Sequence, residues 1–251
     1  MPLKRSLLTV FEQLIARKNL YHMRDRRYLS PSLDAVLLEA AKTWPQVLPS
    51  APRTVLDIGA YRGVISTQLA RLYHPDFIGL VEPQPNLALQ LRGMSLAPRQ
   101  MVFECALGRK EGFADLKVLA SDASSSLLDV APGCDDLFHR SMTVQRSIEV
   151  PVRTLDSVFS ETGLCQLDLL KVDVQGYELE IFAGGLNCLS RTRMIVVEVS
   201  FFEHYIGQPL FPIIYDFLVV NHFSLSSCFG YSWDDKVKAL QCDVVFVSSL
   251  S

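Results

Sequence analysis

From residue 53 onward, short apolar runs alternate with amphipathic stretches. TVLDI (54–58), DFIGLVE (76–82), MVFECAL (101–107), LDLLKVDV (167–174) and MIVVEVS (194–200) are predicted strands. Between several of them, Val64 to Tyr73, Pro85 to Arg92 and Tyr177 to Leu189 carry apolar residues at helical spacing. Near-continuous apolar strands alternating with helices predict an α/β fold, a mostly parallel sheet with helices on both faces. The rhythm breaks between Gly108 and Ser160. There ADLKVL, SSSLLDV and RSIEVPVRTL predict a small antiparallel insertion ahead of the fourth main strand. FPIIYDFLVV (211–220) is too short to cross a membrane and reads as a late core helix.

The start of the chain has a different pattern. Leu3, Leu7, Val10, Phe11, Leu14 and Ile15 recur at intervals of three and four, and a second helical stretch runs from Ser32 to Trp44. Pro45, Pro49 and Pro52 then mark a linker. The expected organisation is an N-terminal helical extension over residues 1–50 and one catalytic domain over 51–251. Seven of the first 27 residues are Lys or Arg, so the extension suits peripheral contact with an anionic membrane, though packing on the domain is the favoured reading.

Charge and cysteine usage narrow the function classes. A net charge of −3 argues against a nucleic-acid binder, which would show a basic face. Glu12, Gln13, Arg17 and Lys18 interrupt what would be the apolar region of a secretory signal. No run approaches the ~20 apolar residues of a transmembrane helix. The six cysteines are scattered, with no C-x-x-C pair and no metal-ligand spacing, as expected for reduced thiols in the cytoplasm.

The chemistry starts in VLDIGAYRGVIS. A strand ending in Asp57, followed by Gly59, Gly63 and a helix, is a nucleotide-binding turn: glycine permits the bend and lets helix and backbone approach closely. Glu82 ends the next strand, 25 residues after Asp57, near the spacing at which a carboxylate accepts from two ribose hydroxyls. The pattern is D-x-G-x-x-x-G rather than the dinucleotide G-x-G-x-x-G. A carboxylate at that point suits an amine and a sulfonium and would repel a pyrophosphate.

These segments, with GLVEPQPNLALQL, ALG, SSSLL, VRTLDSV and LLKVDVQGYELEIFAGG in that order, resemble the FkbM-type S-adenosylmethionine-dependent methyltransferases. The resemblance runs from about Thr54 to Phe223, and DVQGYE and its neighbours are its specific part. It implies a class I methyltransferase (Rossmann-like) fold. It also implies methyl transfer from S-adenosylmethionine to a hydroxyl of a sugar, glycan or secondary metabolite. Asp57, Gly59 and Gly63 would line the methionine end of the cofactor and Glu82 would hold its ribose. Ala60, Tyr61 and Ala106 complete the expected contacts. The family often has Asn after G-A, whereas this chain has Tyr61, so main-chain contacts are expected there in place of the Asn side chain.

Removal of the acceptor proton needs a base within hydrogen-bond reach. Asp173, at the end of the fourth strand, is the first candidate, with Glu178 on the following helix and His204, the group titrating nearest neutrality, as the others. Glu198 ends the fifth strand. With Asp173 it offers two oxygen ligands to a divalent metal, a reading not favoured because no third ligand is evident. Lys171 lies in an apolar strand and needs a partner, either Asp173 or Glu178. The serines at 124–126 read as acceptor or cofactor contacts, or as a plain turn. The competing functions are a nicotinamide-dependent oxidoreductase and a non-catalytic cofactor-binding partner subunit.

Overall fold

The structure is a computed structural model and describes residues 51–134, 141–233 and 239–250. The expected helical extension over residues 1–50 lies outside the described residues.

Strands β1 (Thr54–Ile58), β2 (Phe77–Val81), β3 (Arg99–Phe103), β7 (Leu167–Val172), β8 (Thr192–Ser200), β9 (Phe223–Trp233) and β10 (Ala239–Ser248) form one seven-stranded sheet in the order β3-β2-β1-β7-β8-β10-β9. The first five run parallel, and β10 enters antiparallel to both β8 and β9. A second sheet holds β4 (Ala106–Leu107), β5 (Gly112–Leu119) and β6 (Val144–Arg153) in the order β4-β6-β5, with β5 and β6 antiparallel. This is the α/β architecture of class I methyltransferases, with the antiparallel insertion where the patterning placed it.

Alternation along the strands builds a core on each face. Leu56 and Ile58 point to one face, with Leu170, Val172 and Val197, under helices α3 (Leu155–Thr162), α4 (Glu178–Ala183), α5 (Leu186–Leu189) and α6 (Phe211–Val220). Val55, Leu169, Met194 and Val196 point to the other, against α1 (Val64–Tyr73) and α2 (Pro85–Arg92). Local chemistry sets the helix ends. Pro85 opens α2, the Thr154 hydroxyl accepts from Ser157 N–H at 3.1 Å to cap α3, and Gly163 closes α3 in the left-handed conformation.

Two predicted elements divide. The helix expected over 177–189 breaks at Gly184–Gly185, where a Cβ on Gly184 would sit 2.2 Å from Gly108 O and one on Gly185 2.4 Å from Leu155 Cδ2. The two glycines let this corner pass close against the insertion and α3. The strand expected over 101–107 ends at Phe103, and Ala106–Leu107 joins the second sheet. The hairpin of β9 and β10 lacked a predicted counterpart. Among the described residues, no helix is long and apolar enough to cross a membrane.

At the end of β1, Gly59 has φ +76°, and a Cβ there would meet Asp173 O at 1.9 Å. Replacement by Ala combines left-handed strain with a backbone clash. Gly59→Ala is therefore expected to lose at least about 2 kcal/mol in a urea titration. Gly112→Ala, whose Cβ meets nothing within 4 Å, is the control and should stay within about 1 kcal/mol.

Candidate active site

The carboxyl ends of β1, β2 and β7 open into a cleft roofed by the segment between β5 and β6. This is the edge of an open α/β sheet at which ligands bind. Its floor is a turn held by main-chain geometry. Gly59, Tyr61 and Gly63 all have φ between 52° and 76°. Gly59 and Ala60 N–H both donate to Val81 O at 3.0 Å, which fastens the turn to β2.

Glu82 stands just past β2, buried, with each oxygen engaged by main chain. Oε2 accepts from Tyr61 N–H at 3.0 Å and Oε1 from Gln84 N–H at 2.9 Å. Burial pushes its carboxyl up to about 7 against the pull of those two bonds. A carboxylate has about four lone-pair sites, so two hydrogen bonds orient it and leave acceptor capacity for the cleft.

Tyr61 reaches the opposite rim. Its hydroxyl donates to Asp122 Oδ1 at 2.5 Å, Arg62 donates to Asp122 Oδ2 at 2.9 Å, and the Arg62 guanidinium lies 5.2 Å from the Tyr61 ring centroid. The bonds from Tyr61 and Arg62 hold the Asp122 carboxyl below its usual range, while burial and Asp122 push the Tyr61 phenol up. The Tyr61 side chain therefore ties the glycine turn to the insertion.

Among the residues predicted from the sequence, the fold brings Gly59, Tyr61, Glu82, Ala106 and Asp173 into the cleft wall. Ala60 and Gly63 shape the turn behind it. Asp57 is fully buried on the α1 face. It accepts from the Ser66 hydroxyl at 2.5 Å and pairs with Lys171 Nζ at 3.3 Å, so the cation opposing it is internal. Lys171 also lies 3.5 Å from Asp173 Oδ2 and donates to Gly59 O at 3.3 Å. Burial disfavours its ammonium, but Asp57 and Asp173 more than offset this and hold it protonated. Asp173 was an expected partner, Asp57 was not, and Glu178 is engaged elsewhere.

Glu178 is buried at the start of α4. Its Oε1 accepts from Val174 N–H at 3.2 Å and Gly176 N–H at 3.0 Å, closing the turn after β7 rather than facing the cleft. Burial pushes it up to about 7. His204 is also buried and outside the cleft wall. Its main-chain N–H donates to Gln208 Oε1 at 3.0 Å, its carbonyl accepts from Ala131 N–H at 2.8 Å, and burial takes the imidazole down to about 4. The expectation of titration near neutrality is overturned by that desolvation.

Gln175 was missed. It lies two residues after Asp173 in the left-handed conformation (φ 60°), lines the cleft, and its Nε2 donates to Asp173 Oδ1 at 2.8 Å and Glu198 Oε2 at 2.9 Å. The Tyr205 hydroxyl lies 3.1 Å from Gln175 Oε1 and donates to Ser124 O at 2.7 Å. The only signal in the sequence was a Gln-Gly pair after the strand. In the serine run, Ser125 lines the cleft and its Oγ donates to Asp122 O, while Ser126 Oγ donates to Gln175 O, each at 2.7 Å. Among the described residues, no three His, Cys, Asp or Glu side chains are grouped to hold a metal ion.

The family profile described as Methyltransferase FkbM domain matches residues 57–230, well over half of the chain. The chain belongs to the FkbM methyltransferase family. It is 31% identical over 170 residues to the 2-O-methyltransferase NoeI of Sinorhizobium fredii, covering 65% of this chain and 70% of NoeI. It also superposes on the crystal structure of methyltransferase FkbM from Methylobacillus flagellatus with TM-score 0.50 and 13% identity, covering 79% of this chain and 44% of that longer one. The expectation of an FkbM methyltransferase holds, and the nicotinamide-dependent alternative gives way to it.

Buried carboxyls give this FkbM-family site a signature in solution. Glu82, Glu178 and Asp243 are all raised to about 7, first by burial. Between pH 8 and 6.5 the folded chain takes up protons that the unfolded chain, with ordinary carboxyls near 4, does not, so stability rises as pH falls. His204, depressed from 6.5 to about 4, opposes this as its unfolded imidazole protonates around pH 6.5, one group against three. The melting temperature of the ligand-free protein is expected to be higher at pH 6.5 than at pH 8. A flat or reversed slope in scanning calorimetry would show that these carboxyls are hydrated.

Proposed function

We propose that this chain transfers a methyl group from S-adenosylmethionine to a hydroxyl of a sugar, glycan or secondary metabolite, without a metal. The observation that carries this reading is a cleft lined by Glu82 at the end of β2, Asp173 at the end of β7 and the Gly59 turn. The donor set fits the cofactor. Glu82 would accept from the ribose hydroxyls with the lone pairs left by Tyr61 and Gln84 N–H. Leu107, Leu116 and Leu127 offer apolar wall for the base, and the carboxylates suit a cationic ligand. NoeI, by name a 2-O-methyltransferase, supports oxygen as the accepting atom.

S-adenosylmethionine, when bound, supplies a methyl group already activated by a positive sulfur. What remains for this chain is to align the acceptor and take its proton. Asp173 lines the cleft with its side chain one-third exposed, so an acceptor hydroxyl can hydrogen-bond to it. In transfer to a hydroxyl, an Asp173 oxygen would take the acceptor proton as the acceptor oxygen gains the methyl group. Alignment in such a cleft can contribute about 7–11 kcal/mol. The acceptor is a small molecule or glycan rather than nucleic acid. The cytoplasm is the compartment that six cysteines without a disulfide fit.

Calorimetry is expected to show S-adenosylmethionine and S-adenosylhomocysteine binding and NADH not binding. Glu82→Gln removes a charge-assisted acceptor, about 1.5–3 kcal/mol, so affinity should fall at least tenfold. Asp173→Asn should bind the cofactor within about threefold of the native protein. It should lower kcat by roughly 10²-fold in S-adenosylhomocysteine release with methyl glycosides as acceptors. Activity abolished by EDTA and restored by Mg²⁺ would replace the metal-free mechanism. Tight cofactor binding with no transfer to any hydroxyl acceptor would favour the partner-subunit reading.

A further inference from the structure

If Asp173 is the proton acceptor, its carboxylate must meet the acceptor hydroxyl in one orientation. It sits just beyond the end of β7, and one-third of its side chain is exposed. Yet each of its oxygens is held separately. Oδ1 accepts from Gln175 Nε2 at 2.8 Å, and Oδ2 lies 3.5 Å from Lys171 Nζ. We propose that Lys171 and Gln175 are positioning residues that clamp the two oxygens of Asp173, one each. They thereby fix the direction from which its remaining lone pairs meet the acceptor. The inference rests on the role given to Asp173 above.

Both partners are themselves immobilised. An ammonium has three donors, and Lys171 finds three oxygens: Asp57 at 3.3 Å, Gly59 O at 3.3 Å and Asp173 at 3.5 Å. Lys171 is buried and does not line the cleft, so it acts on the reaction only through what it holds. Gln175 is as fully committed. One amide N–H serves Asp173, the other serves Glu198 at 2.9 Å, its Oε1 faces the Tyr205 hydroxyl at 3.1 Å, and its carbonyl accepts from Ser126 Oγ at 2.7 Å. Glu198 is in turn anchored by Gln241 Nε2 at 2.6 Å. The left-handed backbone of Gln175, φ 60°, is a strain that persists only where surrounding contacts over-determine it. Here it turns the amide back towards Asp173. An amide is the group this position calls for, because it donates to two carboxylates at once.

The backbone conformation also supplies the test. Gln175→Gly removes the amide while relieving the left-handed strain, so the fold should survive. The experiment is a double-mutant cycle with Asp173→Asn, reading kcat for S-adenosylhomocysteine release with methyl glycosides and Kd for S-adenosylmethionine. Gln175→Gly is expected to lower kcat at least tenfold in the native background, with the cofactor Kd changed by less than threefold. In the Asp173→Asn background it should change kcat by less than twofold, since the clamp would have nothing left to orient. Lys171→Met alone strands Asp57 in the interior, so Lys171 is tested as Asp57→Asn/Lys171→Met, with the same pattern in kcat expected. Equal fold-losses in both backgrounds would mean a merely structural role and would overturn the proposal, as would near-native kcat in Gln175→Gly. Near-native turnover in Asp173→Asn alone identifies failure of the underlying reading. Failure of the clamp is recognised when Asp173→Asn is crippled and the cycle is additive.

Discussion

The site depends on one buried ion pair between neighbouring parallel strands. Asp57 on β1 and Lys171 on β7 are register partners, both on the α1 face, with their charges 3.3 Å apart. Removing either member would strand the other charge in the interior, at a cost of about 3–5 kcal/mol. The pair does more than neutralise itself. The ammonium reaches Gly59 O and Asp173 as well, so a single cation ties the glycine turn to the end of the strand that carries the candidate base. The acidic residue of the glycine-turn motif thus serves the site from behind, by holding the lysine.

The second constraint is the main-chain fit between turn and strand ends. A Cβ at Gly59 would collide with Asp173 O, so β1 and β7 approach as closely as they do only because that residue is glycine. Tyr61 is in the same left-handed region without glycine's freedom. Its N–H orients Glu82 and its hydroxyl engages Asp122 on the insertion, which together offset that strain. Cleft floor, Glu82 and roof are therefore linked through one residue.

The buried polar groups divide by what burial does to them. Glu178 is spent on closing a turn, and burial holds His204 neutral; neither lines the cleft. Asp173 combines access to the cleft with fixed orientation, and geometry rather than residue type separates it from the other two candidates.

The amino-acid sequence determined the parallel-sheet architecture, because β1, β2, β7 and β8 are apolar enough to be buried on both faces and their intervening helices carry one apolar stripe each. It also determined the turn and Glu82, since glycines and a carboxylate at fixed spacing are local features. The hairpin of β9 and β10 stayed hidden because β9 is serine-rich and draws its strand character from pairing with β10. The partners of Asp57, Lys171 and Gln175 were hidden for a related reason. Asp57 and Lys171 are 114 positions apart, and Gln175 meets Glu198 across 23. Only strand order and register bring these side chains within hydrogen-bond reach. The fate of His204 was likewise decided by tertiary packing, because the loop around it reads as exposed until the insertion and Gln208 close over it. Periodicity records what each segment buries, whereas the pairing of charges across strands is a property of the assembled sheet.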